Sequence, residues 1–249
     1  MTTIAALEGR GDQKVLVLHG WVMDAGVWLP TRALSDVAKF TFAYVDFPGY
    51  GTNRSVARLP DSIDAMAEVA LNAAADLGWK SYAVVGHSMG ATTALRVATL
   101  APAAVSTVVA VSPVSPAGTV LDDETLAMFR GAWNDPAAAV KSVLSPTMTD
   151  ADLRRLAARN RASMDQIVWD RYLQNWIEPD FFSDLKLYSG PVSLLGGDQD
   201  PFVTQEYLAA ISEGLPNSSV AAVAGAGHYP MLEAPQATID AIEGALGSH

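Results

Sequence analysis

Short apolar runs and longer stretches of helical spacing alternate along the chain. Runs rich in β-branched or aromatic residues fall at 15–18, 41–45, 82–85, 107–111, 192–195 and 220–223. Strands separated by helical patterns in this way predict βαβ units with right-handed crossovers. The fold class that follows is α/β, a mostly parallel central sheet flanked by helices. Ser62 is placed to cap a helix whose apolar face is Ile63, Met66, Ala70 and Ala74, closed by Gly78. After the run at 82–85, Ala91, Ala94, Leu95 and Ala98 recur at helical spacing.

One region departs from the alternation. From residue 114 to 187 only helical patterns occur, opened by Pro113 and Pro116 and followed by Gly190 and Pro191. Asp135 and Pro136 suit a cap and first helical position. Trp169, Tyr172, Leu173 and Trp176 stand at i, i+3, i+4 and i+7. This predicts a core of residues 1–113 and 188–249, with 114–187 inserted as helices over one end of the sheet. No repeat or low-complexity tract interrupts the pattern.

The bulk numbers narrow the function classes. A chain of 249 residues, 50% hydrophobic, is ample for one large core. Sixteen basic and 27 acidic residues leave a net charge of −11, a surface that repels phosphate backbones and anionic lipid. Nucleic acid and membrane are therefore not expected as partners. The absence of cysteine excludes disulfides, thiolate metal sites and a cysteine nucleophile together. The opening MTTIAALEGRGDQK lacks a basic start followed by an apolar run, and no membrane-spanning segment is expected. The expectation is a soluble cytoplasmic protein. Gly247, Ser248 and His249 are set aside as a terminal tail.

Chemistry enters at Gly86-His87-Ser88-Met89-Gly90, a G-x-S-x-G sequence between a strand and a helix. A nucleophile on so sharp a turn projects its hydroxyl above the sheet edge. Its neighbours two residues away must be tiny because strand and helix approach closely there. With Gly and Ser at about 7% each, roughly 0.1 such matches are expected by chance in a chain this long. The flanking strand and helix lower that further, so Ser88 is the candidate nucleophile.

A serine needs a base within hydrogen-bond reach. Of four histidines, His249 is terminal, His87 adjoins Ser88 on the turn and points elsewhere, and His19 ends a strand where it braces a loop. His228, in GAGHYPMLEAP after the last strand, remains as the base. An acid must orient that imidazole. LLGGDQDPF offers both Asp198 and Asp200, giving the order Ser, Asp, His along the chain.

LHGW at the end of an early strand, DFPGYG at 46–51, GHSMG, GGDQDP and GHYPMLEAP together resemble the α/β-hydrolase superfamily, over essentially the whole chain. In that family the acid stands in G-x-x-D, which selects Gly197 and Asp200. The resemblance implies that the backbone N–H groups of Met89 and Trp21 form the oxyanion hole, and that the inserted helices correspond to a cap or lid. Ala91 stands where many relatives have glycine, and GYGTNR lacks the serine that usually ends that turn. Ser88 occupies the position where dehalogenase and epoxide-hydrolase relatives carry aspartate, which excludes those two chemistries.

No cofactor or metal is expected. The histidines are never paired at ligand spacing, GAGHYP lacks the third glycine of a dinucleotide fingerprint, and FPGYGTNR is no P-loop. The insertion concentrates large apolar side chains, and Met128, Trp133, Trp169 and Trp176 are candidate substrate-binding residues within it. The sequence thus predicts a serine hydrolase of a small or medium carboxylic ester or lactone. A carbon–carbon bond hydrolase or perhydrolase on the same triad, or a receptor for a small ligand, is the alternative.

Overall fold

The computed structural model describes residues 3–56 and 58–247. Among them, seven strands form one sheet: β1 (Ile4–Gly9), β2 (Gln13–Leu18), β3 (Phe40–Val45), β4 (Tyr82–His87), β5 (Val105–Val111), β6 (Val192–Gly197) and β7 (Ser218–Val223). Their spatial order is β1-β3-β2-β4-β5-β6-β7. Every pairing is parallel except that of β1 with β3. All residues of β3 and β4 are buried, which is why they read as unbroken apolar runs rather than alternating ones.

The six runs marked in the sequence lie within β2 to β7. The strand β1 is an addition. Its sequence, IAALEG, has one β-branched residue and is only half-buried, so local propensity gives little sign of it. Antiparallel pairing with β3 supplies the structure.

Helices α1 (Ile63–Asp76) and α2 (Met89–Leu100) pack on each other, and α2 lies on β4 and β5. The Ser62 hydroxyl accepts from the Ala65 N–H, and Gly78 adopts φ +69°, so both ends of α1 close as the sequence indicates. Between β5 and β6 there is no strand. The chain instead forms α3 (Asp123–Gly131), a single turn at Pro136–Ala139, a π-helical turn at Val140–Leu144, α4 (Asp150–Ser163) and α5 (Gln166–Ile177). The Asp135 carboxylate accepts from the Ala138 N–H and opens the single turn. Trp169, Tyr172, Leu173 and Trp176 are all buried along α5. The chain then completes α6 (Gln205–Ser212) and α7 (Pro235–Gly247).

The helices between β5 and β6 are tied to the loops that leave β2 and β3. The Tyr172 hydroxyl donates to the Pro48 carbonyl at 2.7 Å, and Asn175 Nδ2 to the Pro60 carbonyl at 3.0 Å. They therefore sit above the carboxyl ends of the central strands. That is also where the strand order reverses, with β3 and β4 on opposite sides of β2, and where open parallel sheets form crevices.

At that crevice Ser88 joins β4 to α2 with φ 52° and ψ −122°, a left-handed conformation costing about 1–3 kcal/mol. Its N–H donates to the Val111 carbonyl at 2.8 Å, and its carbonyl accepts from the N–H groups of Ala91 and Thr92. A Cβ on Gly86 would lie 2.2 Å from the Gly90 carbonyl oxygen, and one on Gly90 would lie 2.3 Å from the His19 carbonyl oxygen. Both neighbours are backbone and cannot step aside, so both positions exclude any side chain. Gly90→Ala is expected to destabilise the protein by about 1–3 kcal/mol or more, measured as a lowered urea midpoint at unchanged m-value.

Candidate active site

Three loops at the carboxyl ends of β4, β6 and β7 bring Ser88, Asp200 and His228 into one line. Ser88 Oγ lies 3.0 Å from His228 Nε2, and His228 Nδ1 lies 2.8 Å from Asp200 Oδ2. Because a carboxylate only accepts, Nδ1 carries the proton toward Asp200, and Nε2 is left to accept from the serine hydroxyl. All three residues are buried. The second carboxylate oxygen of Asp200 accepts from the Phe202 and Val203 N–H groups, each at 2.9 Å. Burial pushes this carboxyl up. Charge attraction to His228, the hydrogen bond to it and the two amides outweigh burial and hold it below the usual carboxylate range.

Asp198 is turned elsewhere. Its Oδ1 accepts from the Gly225 N–H at 2.7 Å in an exposed turn. The structure thus separates the two aspartates: Asp200 meets the imidazole and Asp198 closes a loop. His249 lies outside the described residues.

The other two buried histidines have backbone partners. His87 Nε2 donates to the His228 carbonyl at 2.8 Å, leaving Nδ1 without a partner. Burial, then repulsion from His228, pushes the His87 imidazole down to about 3. His19 Nε2 accepts from the Phe47 N–H at 3.1 Å, which fixes its proton on Nδ1, 2.7 Å from the Gly20 carbonyl. Burial lowers this imidazole too, against the attraction of Asp46.

That contact with Gly20 bears on Trp21. In a trans peptide the carbonyl and the following N–H point opposite ways, so holding the Gly20 carbonyl aims the Trp21 N–H away from His19. The Trp21 N–H makes no hydrogen bond among the described residues. Met89 is the first residue of α2, so its N–H has no intrahelical partner either.

The space above Ser88 is small. Trp21, Phe129, Trp176 and Phe202 wall a cavity of about 20 Å³, together with Val22, Val114 and Leu144, enough for about one water molecule. Larger cavities of about 340 and 280 Å³ lie elsewhere and include no residue of the Ser88–His228–Asp200 line. Of the four side chains picked from the insertion, only Trp176 lines the small cavity. Trp169 stands one layer back, its ring 4.0 Å from that of Trp21 and its Nε1 bonded to the Phe129 carbonyl. Trp133 packs behind Trp169 and under the Arg161 guanidinium, and Met128 is exposed. Helical spacing marks the buried stripe of a helix, but not which of its members reach the next layer.

Several residues that hold the site escaped the sequence reading. Glu233 accepts from the N–H groups of Gly227 and Tyr229, on either side of His228, and from the hydroxyls of Ser145 and Thr147. The His228 N–H donates to the Leu144 carbonyl at 3.0 Å. Phe202 follows Asp200 so closely that its place on the wall was implicit in the loop. A readable signal existed for Asn160, an amide in register with the apolar stripe of Leu153 and Leu156 on α4.

The family model described as the alpha/beta hydrolase family matches residues 15–241. The chain is similar to the pimeloyl-[acyl-carrier protein] methyl ester esterase of Nitrosomonas europaea, at 30% identity over 92% of this chain and 93% of that protein. The Serratia marcescens protein of the same name is 26% identical over 97% of this chain and 96% of its own length. Among solved structures, a bromoperoxidase from Bacillus anthracis superposes with a TM-score of 0.85 at 21% identity, covering 98% of this chain and 94% of that one. A thermophilic esterase from Thermogutta terrifontis gives 0.82 at 19%, covering 99% and 97%. These two likenesses speak for the fold.

The two depressed histidines make a prediction for stability. His19 and His87 bind protons more weakly folded than unfolded, so the unfolded chain takes up protons first as pH falls below about 6.5. Their contribution is complete above that pH and is lost on acidification, down to about pH 3 for His87. Between pH 7 and 5 the expected loss is about 2 kcal/mol for His87, and His19 adds to it in the same direction. Urea unfolding at pH 7, 6 and 5 checks it, and His87→Gln should flatten the slope by one proton.

Proposed function

The chain belongs to the alpha/beta hydrolase family, and from that premise we propose that it is a serine hydrolase of a small or medium carboxylic ester. The observation that carries this reading is the continuous hydrogen-bonded line from Ser88 through His228 to Asp200. His228 Nε2 takes the proton as Ser88 Oγ attacks the ester carbonyl, and Asp200 holds the imidazole in the required tautomer and stabilises its charged form. The backbone N–H groups of Trp21 and Met89 receive the oxyanion. Collapse of the tetrahedral intermediate expels the alcohol, which takes its proton from His228. A water then releases the acid from the acyl-serine by the same steps. The names of the relatives, which specify a methyl ester, support an acyclic ester as the first substrate to try. Residues 114–187 act as the cap, and an ester enters only when the aromatic wall around Phe129 and Trp176 parts, because the closed cavity is too small for it.

Two experiments test the reading. A fluorophosphonate probe labels the protein once, at Ser88, and Ser88→Ala abolishes both labelling and hydrolysis of p-nitrophenyl esters; labelling at another residue overturns the assignment. On the same ester, Asp200→Asn lowers kcat by about 10³–10⁴-fold. Asp198→Asn changes it by less than about threefold, because that carboxylate bonds only an exposed turn. The reverse ranking moves the acid to Asp198.

A further inference from the structure

The loop that carries the Trp21 N–H is suspended from the helices above it as much as from the sheet below. The Trp21 indole Nε1 donates to the Trp169 carbonyl on α5 at 2.9 Å. Asn160 Nδ2 on α4 donates to the Val22 carbonyl at 2.7 Å. Arg159, also on α4, forks onto both carboxylate oxygens of the buried Asp24. From below, His19 holds the Gly20 carbonyl, and the Tyr50 hydroxyl holds the Trp21 carbonyl at 2.6 Å.

Asn160 is the unusual member of this set. It is fully buried on the stripe of α4 that Leu153 and Leu156 otherwise fill, and its Oδ1 has no partner. Its amide orientation is fixed by chemistry, since the Val22 carbonyl accepts only and requires the nitrogen to face it. A buried amide with one end unpaired costs stability relative to a leucine of similar size. Beyond a weak contact of Nδ2 with Met164 Sδ at 3.9 Å, what it gains is one hydrogen bond, aimed at the loop one residue beyond Trp21.

We propose that Asn160 is a positioning residue: its bond to the Val22 carbonyl sets the Trp21 backbone N–H, so that the roofing helices and this oxyanion donor move as one unit. The proposal rests on the hydrolase reading above. It gives that reading an order of events. The cavity walls Phe129 and Trp176 ride on α3 and α5, and the same layer of helices holds Trp21, Val22 and Asp24. Parting the helices to admit an ester withdraws the oxyanion donor, and closing them over the ester restores it. The open state binds but does not hydrolyse.

The test compares Asn160→Ala and Arg159→Gln with the unaltered protein on p-nitrophenyl acetate and on a short aliphatic trifluoromethyl ketone. The ketone adds Ser88 Oγ to its carbonyl carbon; the carbonyl electron pair moves onto oxygen as an oxyanion, and the serine proton passes to His228. Asn160→Ala is expected to lower kcat about 10–100-fold with KM within about threefold. The inhibition constant of the ketone rises by the same factor as kcat/KM falls, as for a transition-state analogue. Arg159→Gln, at a half-exposed position, keeps a donor for Asp24 and lowers kcat by a smaller factor, about 3–10-fold. Unchanged kcat in either folded variant overturns the proposal, as does a loss of kcat with no loss of ketone affinity. Should Asn160→Ala fail to fold, Arg159→Gln decides alone. Ser88→Ala is the separate control: hydrolysis that survives it sinks the hydrolase reading itself, whatever the other two variants do.

Discussion

At Ser88 the backbone is held where few residues other than glycine go, and the surrounding structure has to over-determine it. The Ser88 N–H is fixed by β5, its carbonyl by the first turn of α2, and the approach of strand to helix by two glycines whose side-chain space is filled by backbone. Each of these restraints needs the parallel neighbours of β4 in register, Leu18 beside Gly86 and Val111 beside His87. The sheet core and the Ser88 turn are therefore one problem in packing. A shift of β2 by a fraction of an ångström brings the His19 carbonyl onto Gly90 and disturbs the turn, although neither residue touches the hydroxyl.

Three buried imidazoles lie within this crevice and carry different duties. His228 has a carboxylate on one nitrogen and a hydroxyl on the other, and so links Ser88 to Asp200. His19 and His87 have backbone groups instead, and burial keeps them neutral. A neutral imidazole that donates on one side and accepts on the other is a rigid connector, and His19 uses both to join the loops after β2 and β3. His87 uses only its donor, and its unpaired Nδ1 lies where a side chain on Gly20 would have to go. The His-Gly pair at 19–20 and the Gly-His pair at 86–87 are in this sense parts of one joint.

The strands and the residues that converge on Ser88 were legible because each is marked by local chemistry: apolar runs, a serine between glycines, and a histidine and an aspartate in loops after strands. Resolving Asp200 from Asp198 needed the family spacing, since both follow the same strand and only the three-dimensional course of the turn sends one inward. The strand β1 and the cavity wall were not legible. The first depends on a partner more than 30 positions away, and the second on which side chains of a buried stripe point past their neighbours. Glu233 illustrates the same limit. A glutamate at the end of a short turn, Pro230–Glu233, gives no sign that two donors flanking His228 and two more from Ser145 and Thr147, in a segment remote in sequence, will close on it.

The π-helical turn at Val140–Leu144 has a bearing on how such a site is altered in descent. Its ring closes from the Ser145 N–H to the Val140 carbonyl, one residue wider than an α-turn. At its end the Leu144 carbonyl is turned to meet the His228 N–H. Removal of one codon there would rewind the turn, rotate the Leu144 carbonyl by roughly 100° about the helix axis, and leave the loop of His228 without its support. The smallest in-frame deletion available to a genome would thus displace His228 while every residue of the Ser88–His228–Asp200 line stayed in the sequence, and a reader of motifs alone would miss it.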